Sequence, residues 1–395
     1  MSSRSRLAGA VNISDLRRLA QAHMPKGIFD YLEGGAEDEV TMRDNERVFG
    51  DYMFRPRHGV HVPSPDLSVT VLGQKLAMPL LLGPVGYSKV FHPEGEMGAA
   101  RAAGRAGIGY AMSTISGYSM AALAAASPAP QYLQLYLLGG RSVIEGVIQR
   151  AADAGYKGLF LTMDMPVSGL RERDIRNGLA QMMGRYPLAK VKFLPELLSH
   201  PRWLTKYLLS DKMTTLPNVI LADGKPMAMA DVVKGLQNSV ATWEELKWIR
   251  AAWKGPLVVK GVLTGDDARR ARDEGASAVV VSNHGGRQLD QVAAGLDALP
   301  EVVAAVGHEM EVLMDGGIRR GGDIIKALAL GAKAVLLGRG YAYGMAAAGE
   351  AGIDRALQIF RADLLRTMKL LGCGSLSALD MSYIQKRRNH PEGAA

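Results

Sequence analysis

A chain of 395 residues, 48% hydrophobic and 22% charged, carries apolar material enough for a large core, which excludes a disordered or fibrous protein. No run of about 18 apolar residues occurs, so a membrane-spanning helix is excluded. The formal charge of +8 favours anionic partners such as small acids, phosphates, lipid headgroups or nucleic acid. The single cysteine, Cys373, excludes an internal disulfide. The arginine-rich start (Arg4, Arg6, Arg17, Arg18) lacks the apolar stretch of a secretory signal, so the cytoplasm is the expected location.

In chain order, residues 1–75 read as an N-terminal extension. It holds two short helices, from Ile13 to His23 and from Pro25 to Leu32, and then a strand-rich stretch expected to plug the bottom of the main domain. Eight short apolar segments come next, rich in β-branched residues and ending in glycine or polar residues, with helical patterns between them. They are Pro79 to Gly86, Ile108 to Thr114, Gln131 to Leu137, Lys157 to Asp164, Pro256 to Val262, Ala278 to His284, Glu311 to Gly317 and Ala334 to Gly340. Their starts fall 22 to 33 residues apart, except for 99 between the fourth and fifth, and that spacing fits one strand, one loop and one right-handed crossover helix. Eight such units predict an α/β fold, a (β/α)₈ TIM barrel over 76–395. An open doubly wound sheet would carry a G-x-G-x-x-G turn after its first strand, and none is present. Residues 165–241 form an insertion after the fourth strand, at the end of the barrel where active sites sit; such insertions serve as lids or docking surfaces.

In this fold reacting groups come from the C-terminal ends of the strands. Seven of the eight segments end in polar residues: Ser113 and Thr114; Gln134 and Tyr136; Thr162 and Asp164; Lys260; Ser282, Asn283 and His284; Asp315; Arg339. The first segment offers only Pro84, Val85 and Gly86. Any one of these residues is explained by capping its own loop, but a ring of them points to a site. The stretch DGGIRRGGD (Asp315 to Asp323) and LLGRG (Leu336 to Gly340) supply glycine amides, helix N-termini and Arg319 and Arg339, the combination that receives a phosphate after strands 7 and 8. His284, with two glycines after it, is the candidate general base, and Asp164 its hydrogen-bonding partner. Arg171 and Arg287 match a carboxylate bidentately, which points to an acid substrate. With one cysteine and eight scattered histidines, no H-x-x-x-H or C-x-x-C pair exists, and no metal is expected.

The motifs SNHGGRQLD, DGGIRRG, KALALGA (Lys326 to Ala332), LLGR, FDYLEGGAEDEVT (Phe29 to Thr41) and RERDIRNG (Arg171 to Gly178) resemble the FMN-dependent α-hydroxy acid dehydrogenase and oxidase family, over about residues 12–385. The resemblance implies a flavin-binding barrel that oxidises a 2-hydroxy acid to the 2-keto acid. It makes His284 the base and Asp164 its partner, with Tyr31, Tyr136, Arg171 and Arg287 holding substrate. Pro84, Val85, Gly86, Ser113, Gln134, Thr162 and Ser282 would line the flavin ring system, Lys260 its pyrimidine edge, and Asp315 the ribityl chain. Gly317, Arg319, Gly338 and Arg339 would hold the phosphate.

The resemblance also bears on which kind of member this is. Gly86 stands where the oxidases usually carry alanine and the membrane dehydrogenases glycine. Residues 185–212 alternate basic and bulky apolar residues with a net +4, which suits a segment lying on an anionic membrane surface and delivering electrons to quinone. Lys190, Lys192, Lys206 and Lys212 are its expected membrane cations, and Trp203 with the leucines its apolar contacts. Ile115 and Ser168 leave room for an aryl or longer substrate side chain, so lactate-like and mandelate-like acids both fit. The expectation is a homo-oligomer, a tetramer, peripheral on the inner face of the cell membrane and without nucleic acid. The alternatives are a soluble oxidase reducing oxygen to hydrogen peroxide, a flavin-free barrel acting on a sugar phosphate, and a non-catalytic basic binding protein.

Overall fold

The computed structural model describes residues 3–178, 191–211, 213–237 and 239–387. Its centre is a closed barrel of eight parallel strands: β1 (Leu80–Leu82), β2 (Gly109–Ser113), β3 (Gln131–Leu135), β4 (Gly158–Thr162), β5 (Leu257–Val262), β6 (Ala278–Val281), β7 (Glu311–Asp315) and β8 (Ala334–Leu337). Each strand pairs with its neighbour in chain order, and β8 closes on β1. All eight lie inside the segments expected from sequence, and the fold is the (β/α)₈ barrel.

The alternation of a strand places every second side chain on the inner face. One inward layer is apolar and buried: Leu81, Ala111, Tyr132, Phe160, Val258, Val280, Leu313 and Leu336, with the rings of Tyr132 and Phe160 edge to face at 5.6 Å. Two residues further along the same strands the layer turns polar: Ser113, Gln134, Thr162, Lys260, Ser282 and Asp315. Two further again come Tyr136, Asp164 and His284. The apolar layer is therefore the floor on which the polar layers stand.

Beneath the floor, the two-stranded hairpin Val69–Val71 and Gln74–Leu76 pushes Val71, Leu72 and Leu76 into the barrel bottom. The Leu72 amide donates to Glu311 at the start of β7, at 2.9 Å. Leu72 sits at φ 49°, a left-handed conformation that costs a non-glycine residue roughly 1–2 kcal/mol, and the burial of its side chain offsets that cost. Leu72→Ala should thus keep the strain and lose the burial, lowering stability by roughly 2–4 kcal/mol. Denaturant titration measures this, with activity per folded molecule expected to stay near wild type.

The helices Ile13–His23 and Lys26–Glu33 stand where the sequence put them, within one residue. A further helix, Val40–Arg47, comes after them. The insertion holds helices Leu194–Ser199 and Pro201–Leu209, and an antiparallel pair, Thr215–Ile220 with Pro226–Ala228, that sequence reading did not anticipate. Trp203 corrects an expectation: it is buried, donates to the Val90 carbonyl at 3.1 Å and stacks on Tyr207 at 4.9 Å, and so is a seat for the insertion and no membrane contact. Lys206 is exposed, with its ammonium 3.0 Å from His92 Nε2. Lys190 and Lys212 lie outside the described residues. No described helix is long and apolar enough to cross a membrane.

Candidate active site

A cavity of about 1130 Å³ opens above the polar layer. Of the residues singled out from sequence, Tyr31, Pro84, Val85, Gly86, Ser113, Gln134, Tyr136, Thr162, Arg171, Lys260, His284, Arg287, Asp315, Gly317, Arg319, Gly338 and Arg339 all line it. Asp164 and Ser282 stand just behind, each holding a residue that lines it.

The polar layer is cross-linked around the barrel. Ser113 donates to Gln134 Oε1 at 3.2 Å, and Gln134 Nε2 donates to Thr162 at 2.9 Å. Lys260 Nζ donates to Ser282 at 2.8 Å and is 3.0 Å from Asp315 Oδ2. Burial works against the charge of Lys260, but Asp315 and Asp164 outweigh it and hold its pKa above the ordinary value. A fixed cation thus stands at the cavity floor.

One layer up, His284 Nδ1 lies 3.0 Å from Asp164 Oδ1, and Tyr136 Oη lies 3.4 Å from Nε2. An ionised Asp164 accepts from Nδ1–H, which leaves the Nε2 lone pair directed at Tyr136 and able to accept a proton. Asp164 does stay ionised: burial pushes its pKa up, yet the His284 charge and hydrogen bond, with Lys260, pull it below the usual value. Burial, then Asp164, raises the Tyr136 phenol, so its hydroxyl stays protonated. Room for Asp164 is made at Gly261, where β5 breaks register at φ 104° and any Cβ would lie 2.5 Å from the Asp164 Cβ.

Arg287 is anchored by Nη1 to the carbonyls of Tyr31 and Gly34 at 2.9 and 2.6 Å, with its guanidinium 5.1 Å from the Tyr31 ring centre. Burial, and next the neighbouring Arg171 charge, pull its pKa below the ordinary value. Two guanidiniums facing one desolvated space repel each other, and an anion placed between them removes that penalty.

At the other end of the cavity the two expected helix N-termini differ. Asp323 already accepts the amides of Arg319 and Arg320, both at 2.9 Å, and so caps helix Gly321–Ala329. The open N-terminus is that of Arg339–Leu371, beside Gly338, with Arg319 and Arg339 close by. Arg339 spends its donors on the carbonyls of Leu32, Gly285 and Gly34, and Arg319 on Glu46. Their charges still face the cavity. Between the two ends, the buried Asp315 Oδ1 has no hydrogen-bond partner, an acceptor awaiting a hydroxyl of a bound molecule. An anion site, an orphan acceptor and a buried cation in line fit a phosphorylated polyol carrying a ring that gains negative charge.

The family model for FMN-dependent dehydrogenases matches residues 20–386. The chain belongs to the FMN-dependent dehydrogenase family. It is 41% identical to L-lactate oxidase of Nostoc sp. over 382 residues, 96% of this chain and 99% of that one. It is 40% identical to (S)-mandelate dehydrogenase of Pseudomonas putida, covering 95% and 93%. The solved monotopic membrane protein (S)-mandelate dehydrogenase superposes with a TM-score of 0.89 at 39% identity, covering 96% of this chain and all of that one. This FMN-dependent dehydrogenase is therefore a flavoenzyme of the 2-hydroxy acid class, and the fit of its cavity to FMN rests on Asp315, Lys260 and the helix beginning at Arg339.

Sequence reading missed the cavity's outer wall. Tyr87 comes directly after Gly86 at φ 59° and meets the Tyr31 ring edge-on at 5.7 Å. Asp174, three residues after Arg171, also lines the cavity, and both were within reach as neighbours of predicted residues. Met165, Met213, Met229 and Leu236 line it too. No motif marks them, because the insertion's path alone brings them there.

Proposed function

We propose that the enzyme converts an L-2-hydroxy acid with a bulky apolar side chain to the 2-keto acid, with His284 as base, and passes the electrons to a membrane quinone. The observation that carries this reading is the convergence in one cavity of an imidazole oriented by a carboxylate and of two guanidiniums.

Arg171 and Arg287 bind the substrate carboxylate, with Tyr31 beside them, and Tyr136 faces the reacting hydroxyl. That hydroxyl's proton goes to His284 Nε2, and the ionised Asp164 stabilises the imidazolium. FMN, when bound, would accept the α-hydrogen together with the electron pair of the broken Cα–H bond, the two electrons of the oxidation. Its ring system is assigned to Pro84, Val85, Gly86, Ser113, Gln134 and Thr162, with Ser282 holding Lys260 at the pyrimidine edge. Asp315 takes the ribityl hydroxyls, and Gly317, Arg319, Gly338 and Arg339 the phosphate. Lys260 supplies a positive charge that offsets the negative charge of the reduced ring. At Gly86 a Cβ would meet Ile115 and Ser113 at 3.4 Å and beyond, so the glycine leaves a methyl-sized space on that wall.

The apolar outer wall supports an aryl or long-chain acid over lactate, in keeping with the mandelate dehydrogenase similarity. A panel of 2-hydroxy acids with a dye acceptor tests it: kcat/KM is expected to rise from methyl to aryl, and a preference for lactate would overturn the size argument.

Ten of the fifteen exposed large apolar side chains among the described residues lie in the insertion, Leu198, Leu208 and Leu209 among them. Exposed apolar side chains concentrated in one insertion of a basic chain support contact with an anionic bilayer. Replacing those three leucines by serine is expected to release the protein from anionic vesicles, since each buried leucine is worth roughly 1.5–3 kcal/mol, while dye-linked turnover stays within about twofold. Wild-type protein that stays in the supernatant would make the insertion a lid or a contact in the proposed tetramer. The similarity to L-lactate oxidase favours a second reading, with oxygen as acceptor and hydrogen peroxide as product. An oxygen electrode run beside the dye assay decides between them.

A further inference from the structure

His284 is the one residue of the cavity's acid–base group in the left-handed backbone region, at φ 60°. Such a conformation costs a non-glycine residue free energy and persists only where the surroundings over-determine it. The loop after β6 must therefore be held from outside, and the nearest holder is the residue before the histidine.

Asn283 is buried and makes a reciprocal amide pair with Asn45, buried on helix Val40–Arg47. Asn45 Nδ2 donates to Asn283 Oδ1 and Asn283 Nδ2 donates to Asn45 Oδ1, both at 2.9 Å. Asn283 Oδ1 also accepts the Gly286 amide at 3.1 Å, and Asn283 Nδ2 donates to the Ala293 carbonyl at 3.0 Å. Asn45 Oδ1 in turn accepts the Gly295 amide at 3.3 Å. The pair thus ties the start of the His284 loop to its end. The backbone of Asn45 rests on the other loop of the site: a Cβ on Gly317, which sits at φ 73°, would lie 1.7 Å from the Asn45 carbonyl oxygen. One residue of the N-terminal extension is therefore wedged between the loop after β6 and the turn after β7.

We infer that Asn45 is a positioning residue, holding His284 at its proton-accepting angle through Asn283 and setting the Gly316–Gly317 turn of the cofactor site from the same point. This rests on the proposed role of His284. An amide is needed because each partner must donate and accept at once: aspartate at 45 keeps the shape but cannot donate to Asn283 Oδ1, and alanine removes both bonds.

The test is the rate of anaerobic flavin bleaching by a 2-hydroxy acid in the FMN-loaded protein, measured across pH. Asn45→Ala is expected to bleach roughly 10- to 100-fold more slowly, with substrate KM within about threefold, a displaced pH profile and weaker FMN retention; Asn45→Asp should fall between. Thr41→Val is the control, because Thr41 joins the same helix to the same loop at Val292, by bonds of 3.0 and 3.3 Å, without reaching the residue before His284. It should bleach at close to the wild-type rate with an unchanged pH profile. If Thr41→Val slows bleaching as much as Asn45→Ala, helix docking alone explains the effect and the inference falls. It falls equally if Asn45→Ala keeps the wild-type rate and pH profile while His284→Asn is inactive. Should His284→Asn itself bleach normally, the base assignment fails instead.

Discussion

His284→Asn is expected to purify yellow, with FMN bound, and to lose turnover by at least 10²- to 10⁴-fold, about 3 to 5 kcal/mol of transition-state stabilisation. The cofactor should stay because the side chain of His284 meets Asp164 and Tyr136, while the phosphate end of the cavity is built from the helix beginning at Arg339. Activity should go because asparagine has no basic nitrogen to place where Nε2 stands. The measurement is flavin absorbance after anaerobic mixing with a 2-hydroxy acid: wild type bleaches and the variant stays oxidised. Retention of a tenth of the wild-type rate would make His284 a structural residue. Asp164→Asn should lose less, since the imidazole keeps its basic nitrogen but loses the carboxylate that orients it and offsets its charge.

Arg287→Lys and Arg171→Lys should each lower kcat/KM toward a 2-hydroxy acid by roughly 10²-fold, because a bidentate contact with the carboxylate becomes a point contact. The larger loss is expected at Arg287. Its guanidinium does two jobs at once, with Nη1 on the carbonyls of Tyr31 and Gly34 and its plane close to the Tyr31 ring, and one ammonium cannot reproduce both. Steady-state kinetics with a dye acceptor read the effect, and FMN content should match wild type. If both variants behave as wild type, the carboxylate clamp is wrong.

The periodicity of this chain carried the barrel. Eight apolar segments at near-regular spacing leave few alternatives, since a strand buried on both faces must be apolar throughout and a parallel neighbour needs a crossover of helical length. The inner face was legible as well: Gln134, Thr162, Lys260 and Asp315 each stand two positions after an inward apolar residue, and period two sends both to the same side. Helix Ile13–His23 was legible too, and the structure closes its start with a capping box of Asn12 and Asp15.

Other features were decided only by tertiary structure. The sequence offers two helix N-termini to a phosphate, and it is the fold of Asp323 onto the amides of Arg319 and Arg320 that leaves one of them open. Trp203 reads as a membrane-facing residue in a basic, apolar stretch, yet it lies under the helix, because periodicity gives a helix two faces without saying which one finds a neighbour. The wall of methionines and leucines around the outer cavity, and the Asn45–Asn283 pair joining residues 238 positions apart, have no local signature. Spacing along a chain determines which side of an element a residue takes; which elements then meet is determined by packing among distant segments, and that is where this site gets its outer shape and the hold on its base.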